Sequence, residues 1–432
     1  MKNPSQPIRR NWAARFFAIW GGQAFSLFGS ALVQFALVWY LTKQTGSATV
    51  LAGAMLVAML PQIALGPFAG ALVDRWNRRV IMMAADGGIA LSTLVLVYLF
   101  ASGQVEVWHI YAILMVRSLG GAFHFPAMQA STTLMVPEKH LTRISGANQT
   151  LNGAINIVAP PTGALLLEIL PMQGVLGIDI VTALLAILPL AFLTIPQPAR
   201  TEATAEGGAR TSFVWDVGQG LRYVAAWPGL LAILVMGTVI NFLLTPTNAL
   251  MPLLVTKHFG LGALEFGLMD SAFGFGVILG GLTLSAWGGF KRKVATSMMG
   301  IIGVGLGVTV VGLAPANAYP LAVAGMAFAG LMTPIINGPL MALIQSTVKP
   351  DMQGRVMALI MSAAGAMSPL SLMVAGPVSD LIGIRAWFWM GGLACLLMGI
   401  GAFFVPAIMN IERNHSGQRP NPGEKPAPSV AD

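Results

Sequence analysis

The sequence predicts an all-α membrane protein of twelve spans, on three observations. Of 432 residues, 56% are hydrophobic and only 9% charged, and the mean hydropathy is +0.74, whereas a soluble chain carries about 25% charged residues. So few charges cannot build a water-facing surface, which excludes cytosolic, secreted and disordered classes. Apolar stretches of at least the roughly 20 residues that cross a bilayer core recur along the chain between short charged or Gly/Pro breaks. Basic residues fall on alternate sides of those stretches, as the positive-inside rule requires.

The elements follow in order. Residues 1–14 are a Pro-, Asn- and charge-rich tail. Span one, 15–41, is too long and too polar in its middle for a signal-peptide core, and no small-residue cleavage site follows it. Spans two (49–73) and three (79–101) flank a loop holding Arg75, Arg78 and Arg79. Span four (106–135) contains Arg117; spans five (146–169) and six (172–195) are cut at Pro171. The segment 196–228 is the one long break. In it Phe213, Trp215, Leu221 and Tyr223 alternate with Asp216, Gln219 and Arg222, a pattern suited to a helix lying on the inner membrane surface. Spans seven to twelve are 229–256, 264–289, 294–314, 318–346, 356–382 and 386–409, followed by a second tail, 410–432. With the N-terminus inside, twenty of the 24 Lys and Arg lie on the cytoplasmic side, three (Lys43, Lys257 and Arg385) lie outside, and Arg117 lies within a span. Both termini are therefore expected to be cytoplasmic.

The chain repeats itself. Val136-Pro137-Glu138 with Arg143 recurs as Lys349-Pro350-Asp351 with Arg355, and the same offset lays Phe125-Pro126-Ala127-Met128 over Gly338-Pro339-Leu340-Met341 and Gly163 over Gly376. Two six-span halves, 15–195 and 229–409, around a midplane crevice are the implied organisation.

Other classes are excluded by what the sequence lacks. Cys395 is the single cysteine, so disulfide frameworks, iron–sulfur clusters and paired-cysteine zinc sites are not expected. The net charge of +8 is not gathered on one soluble face, which argues against nucleic acid. Runs such as Gly303, Gly305 and Gly307 sit inside apolar spans with no preceding strand and read as close helix packing; no phosphate loop ending in GK[ST] is present. No nucleophile–base constellation is visible among five histidines, so no enzyme, metal or cofactor is expected.

Between spans two and three stands Gly70-Ala71-Leu72-Val73-Asp74-Arg75-Trp76-Asn77-Arg78-Arg79. It resembles the signature loop of the major facilitator superfamily, G-x-L-x-D-R-x-G-R-R/K, with Asn77 in place of the second glycine; asparagine tolerates the left-handed backbone, so the turn is expected to survive. Arg117-Ser118-Leu119-Gly120-Gly121 is similar to the superfamily's R-x-x-x-G motif, and Ala159-Pro160-Pro161-Thr162-Gly163-Ala164 is similar to the G-P-x-x-G-G motif of its exporters, with alanine at the outer positions. Phe17 to Gln23, Tyr40 to Ala48, Arg117 to Ala127 and Gly354-Arg355-Val356 resemble the bacterial macrolide-efflux branch of drug:proton antiporters. The resemblance implies an inner gate of Gly70, Asp74, Arg75, Arg78 and Arg79, with charge-assisted bonds across the halves when it is shut. The second half's counterpart, Gly288-Gly289-Phe290-Lys291-Arg292-Lys293, keeps the positive charge without the acid.

Ionisable groups inside spans carry the functional reading, because a charge in the hydrocarbon core costs about 2.5–3.5 kcal/mol on insertion scales. Arg117 lies about 16 Å along span four at 1.5 Å per residue. It reads either as a cation setting the protonation of a nearby carboxylate or as a structural arginine bonded to carbonyls. Asp86, Asp179 and Asp270 each lie about 12 Å into their spans, and with Arg117 they form the proton-coupling set, Asp270 being the preferred carrier. Alternatively Asp86 braces the loop arginines and Asp179 starts a helix at the outer surface. Glu168 and Asp380, near the outer ends, are expected to be solvated, with Arg385 the nearby cation. His124 shares the face of Arg117 and reads as a cavity liner or as a satisfied interior histidine. Gln23, Ser26, Ser30 and Gln34 in span one, Thr238, Asn241, Thr245 and Asn248 in span seven, and Thr333 and Asn337 in span ten form polar stripes at three- and four-residue steps. Lipid penalises such faces, so these residues are assigned to a substrate cavity or to helix seams.

The expected function is a monomeric secondary exporter in the bacterial inner membrane, exchanging inward protons for an outward amphipathic, macrolide-like drug. A siderophore or other metabolite exporter and a non-transporting membrane receptor are the alternatives.

Overall fold

A computed structural model describes residues 12–195, 221–348 and 350–412. Within these ranges the side chains at positions 66, 67, 70, 71, 74, 75, 142, 350, 351, 354, 358 and 361 lie outside the described residues.

Twelve long helices follow one another: α1 (Trp12–Thr45), α2 (Ala48–Arg75), α3 (Arg78–Ala101), α4 (Val107–Met135), α5 (Glu138–Ile169), α6 (Met172–Phe192), α7 (Pro228–Leu253), α8 (Ala263–Trp287), α9 (Lys293–Leu313), α10 (Tyr319–Thr347), α11 (Pro350–Ile382) and α12 (Ile384–Phe403). A π-helical turn, Leu254–His258, extends α7, and a short α13 (Pro406–Met409) closes the described chain. The end of the bundle at which α1 begins is here the near end, and the opposite end is the far end.

The helices form two six-helix bundles. In the first, α1 packs on α5 and α6, α3 sits between α4 and α6, and α2 lies on α4; in the second, α9 sits between α10 and α12, α8 lies on α10, and α7 lies on α11 and α12. The glycine runs do pack closely: a Cβ at Gly305 would come within 2.5 Å of the Leu396 backbone nitrogen on α12. Across the bundles, the main contacts are α2 with α11 and α5 with α8.

Ten of the described helices are long and apolar enough to cross a membrane. The two that fall short, α4 and α5, are long but more polar, and both line a cavity described below. The same polarity hides the start of α5 from a hydropathy reading, which begins span five at 146, whereas the helix begins at Glu138.

Local chemistry sets the ends. Ser47 caps α2 by accepting the Val50 amide at 3.3 Å. Asn77 does not take the left-handed turn expected of it. It is extended, with φ −70° and ψ 111°, and its side chain caps α3 by accepting the Arg79 amide at 3.0 Å, a role asparagine fills well and glycine cannot. In the expected surface helix of the linker, residues 213–220 lie outside the described chain. Residues 221–225 are helical, with Leu221 exposed and Val224 fully buried in the cluster that also holds Leu230 and Ile344.

Candidate functional site

Arg117, deep in α4, is the centre of a buried polar network in the first bundle. Its Nη1 donates to Asp179 Oδ2 at 2.6 Å and to Thr93 Oγ1 at 3.0 Å, and its Nη2 reaches the Ser30 carbonyl at 3.3 Å. Asp179 also accepts from Ser30 Oγ at 3.1 Å and from Thr93 Oγ1 at 3.0 Å. The arginine and aspartate side chains are 8% and 1% exposed. Asp179 is therefore not a surface helix start; it is the counter-ion of Arg117, and burial without water requires such pairing and hydrogen bonding. Gly29 contributes to the network. A Cβ there would fall within 2.1 Å of Thr182 Oγ1 and 3.3 Å of the Asp179 Cα, so the missing side chain eases the close approach of α1 to α6 that lets Ser30 reach Asp179.

A second cluster lies nearer the near end. Asp86 on α3, 4% exposed, accepts from Gln23 Nε2 at 2.9 Å and lies 3.5 Å from His124 Nε2. Arg78 donates to the Ala130 carbonyl at 3.1 Å, and Arg79 donates to the carbonyls of Leu190 and Ala191, where cations complement the C-terminal end of α6.

Two cavities follow one another along α1 and α5. The first, about 810 Å³, lies in the near half of the first bundle and is lined by Gln23, Gln62, His124 and Asn152 among others. The second, about 520 Å³, lies between the bundles; Gln34, Phe35, Met55, Asn156, Asn248, Phe266, Asp270 and Phe273 line it. Its wall carries three phenylalanines, Phe35, Phe266 and Phe273, with Met55 and Met251, which suits bulky, variable apolar ligands. Among its described lining residues Asp270 is the one ionisable group, and it is exposed to the cavity. The structure thus separates Arg117 from Asp270: the former is locked to Asp179, the latter faces open space.

The bundles meet at the far end. Phe35 of α1 stacks on Phe266 of α8, with ring centroids 4.9 Å apart. On α5, Pro161 has no N–H to give to the Ile157 carbonyl. Ser271 of α8 supplies the missing donor across the interface, its Oγ lying 2.6 Å from that oxygen. Asp380, at the end of α11, is exposed as expected, but its carboxylate bonds to the other bundle. It accepts from the Ala48 amide at 2.9 Å, the Thr49 amide at 3.0 Å, Ser47 Oγ at 3.0 Å and Thr49 Oγ1 at 2.7 Å, so a residue of one bundle caps a helix of the other. Arg385 instead donates to the Gly312 and Leu313 carbonyls. Asp380→Asn forfeits charge-assisted bonds worth about 1.5–3 kcal/mol each. It is expected to add a longer population to the distance distribution between spin labels at Gln104 and Ala316, in far-end loops of the two bundles; an unchanged distribution would show that the cap does not hold the far end shut.

These features coincide with a known family: the chain matches the model of the Major Facilitator Superfamily at residues 19–249 and again at 238–431. The chain belongs to the Major Facilitator Superfamily. It is similar to Macrolide efflux protein A of Streptococcus pyogenes, 34% identical over 390 residues that cover 90% of this chain and 95% of that protein. It is also similar to Multidrug efflux pump Tap of Mycolicibacterium fortuitum, at 28% identity over 89% of this chain and 94% of that one. In fold it is similar to the solved nucleoside transporter NupG, with a TM-score of 0.69 at 14% identity over 90% of this chain and 98% of that chain.

As a Major Facilitator Superfamily member the chain is a multi-pass membrane transporter, and its sequence-nominated residues distribute as follows. Of the loop residues, Gly70, Asp74 and Arg75 have side chains outside the described residues, while Arg78 and Arg79 bond within their own bundle. In α1, Gln23 and Gln34 line cavities, whereas Ser26 is buried and Ser30 is committed to Asp179. In α7, Asn248 lines the cavity between the bundles; Thr245 lies 3.4 Å from Ser368 on α11; Thr238 and Asn241 turn back to the Leu234 and Gly237 carbonyls. In α10, Thr333 bonds the Ala329 carbonyl and Asn337 is exposed. Sequence reasoning missed the polar ladder Asn148, Asn152 and Asn156 on α5. Its four-residue step was legible, but all three residues fell in span five, 146–169, which was judged only by its apolar length.

Proposed function

We propose that the chain is a secondary active exporter of amphipathic, macrolide-like drugs in a bacterial inner membrane, working as a single chain by proton antiport and alternating access, with the near end and both termini on the cytoplasmic side. The observation that carries this reading is the cavity between the bundles, a chamber walled by phenylalanine and methionine with one carboxylate, Asp270, closed toward the far end. The printed names of the two relatives, a macrolide and a multidrug efflux protein, support the same substrate class.

The mechanism follows from the contacts. With the far end held by Asp380, the Phe35–Phe266 stack and the Ser271 bond, substrate enters from the near side and packs against apolar walls. Rocking of the bundles breaks those far-end contacts, while Asp74 and the loop arginines close the near end. Asp270 loads a proton from the far side and releases it on the near side, and Arg117 with Asp179 holds the first bundle rigid as the lobes turn. A cavity whose described lining has no arginine or lysine disfavours an anionic substrate such as a siderophore.

Reconstituted into liposomes under an imposed pH gradient, the protein is expected to move a labelled macrolide against its gradient and to lose that activity when the gradient is collapsed with a protonophore. Saturable binding without gradient-driven movement would make it a receptor instead.

A further inference from the structure

The 810 Å³ cavity in the first bundle differs in chemistry from the chamber that holds Asp270. Six amide side chains line it: Gln23, Gln62, Gln129, Asn148, Gln149 and Asn152. No aspartate, glutamate, lysine or arginine is among its described lining residues, and His124 is its one titratable group. Amides offer donors and acceptors together without net charge, so this wall matches a neutral ligand that presents both, as a ring of hydroxyls does. Trp20 and Phe125 add aromatic faces. Trp20 is fixed in place by its Nε1 bond to Asn148 Oδ1 at 2.6 Å, and Phe125 is 63% exposed. A flat aromatic face beside convergent amides is what the C–H face and hydroxyl rim of a pyranose require.

One group points to a missing partner. Gln23 is 2% exposed, donates its Nε2 to Asp86, and leaves its Oε1 buried without any hydrogen-bond donor. An orphaned buried acceptor costs about 1–3 kcal/mol unless something donates to it; Gln23 lines the cavity, and a small rotation of its side chain toward that space brings the acceptor within reach of a ligand hydroxyl.

The two cavities follow one another along the helices they share. Gln23 and Leu27 line the first and Ala31 and Gln34 the second; on α5, Asn148 and Asn152 line the first and Asn156 the second. At 1.5 Å per residue, Gln23 to Gln34 spans about 16 Å, the reach of one large molecule rather than of two independent ones. Resting on the drug-export reading above, we infer that the near-half cavity is a subsite for a neutral sugar borne by the substrate, whose apolar body lies against Phe35, Phe266 and Asp270.

The test compares erythromycin with its descladinosyl derivative, which lacks only a neutral sugar and keeps the charged amine. Binding to the purified full-length protein in detergent is measured by calorimetry, and pH-driven uptake of the same two compounds is measured in liposomes. The wild type is expected to bind erythromycin about tenfold more tightly than the derivative, the effect of two to three added hydrogen bonds. In Gln129→Ala/Gln149→Ala, both positions being exposed to the cavity, that ratio is expected to fall to about one. Equal affinities in the wild type, or a double variant that weakens both compounds alike, overturns the sugar subsite while leaving the export reading in place. A tenfold ratio with no pH-driven uptake of either compound overturns the export reading and leaves the subsite standing.

Discussion

Replacing Asp179 with alanine is expected to destabilise the protein by about 3–5 kcal/mol, the cost of leaving one partner of a buried ion pair uncompensated. Arg117 would then keep only Thr93 and the Ser30 carbonyl inside a packed bundle. The check is thermal unfolding in detergent monitored by size-exclusion recovery: a large drop in melting temperature is expected, and wild-type stability would show that water or lipid reaches the guanidinium. The double change Arg117→Met/Asp179→Leu removes both charges and is expected to recover most of the loss, because apolar replacements of a buried pair are often neutral or better. That variant also separates scaffold from coupling. Recovered folding with unchanged pH-driven transport makes the pair purely structural, as the mechanism above holds; recovered folding with transport lost places it in the proton path.

Asp270→Asn is expected to abolish gradient-driven efflux, to the level of liposomes without protein, while preserving ligand binding and downhill exchange. The substitution keeps shape and removes the charge, so packing of α8 is undisturbed, and the residue is exposed to the cavity rather than bonded within the helix. Transport that still follows the pH gradient in this variant would move the proton carrier elsewhere, with Asp86, buried beside His124, as the next candidate.

The fold was readable because hydropathy and charge report on lipid, and lipid contact is a property of each helix alone. The Pro171 cut between spans five and six matches the break between α5 and α6, and the Pro126/Pro339 repeat falls inside equivalent helices α4 and α10. The site was less readable, because it depends on registers between helices far apart in sequence. That Arg117 is polar and buried was plain; that its partner is Asp179, 62 residues on, depends on how α4 and α6 slide past each other, which no periodicity encodes. Asp380 is exposed as an end residue should be, but nothing local reveals that α2 begins beside it, some 330 positions earlier. Asn77 was misjudged for a simpler reason: a capping side chain and a left-handed turn both favour asparagine, and composition cannot choose between them.

The Ser271–Ile157 bond ties opening of the far side to hydration. A carbonyl that proline has stripped of its helical donor is satisfied by the opposite lobe when that side is shut, and can be satisfied only by solvent when it is open. On the alternating-access reading proposed above, each opening of the far end takes up water at this seam. Excluded osmolytes, by lowering water activity, are then expected to bias the resting population toward the sealed arrangement, so that on this reading the dryness of the surroundings tunes turnover along with the driving gradient.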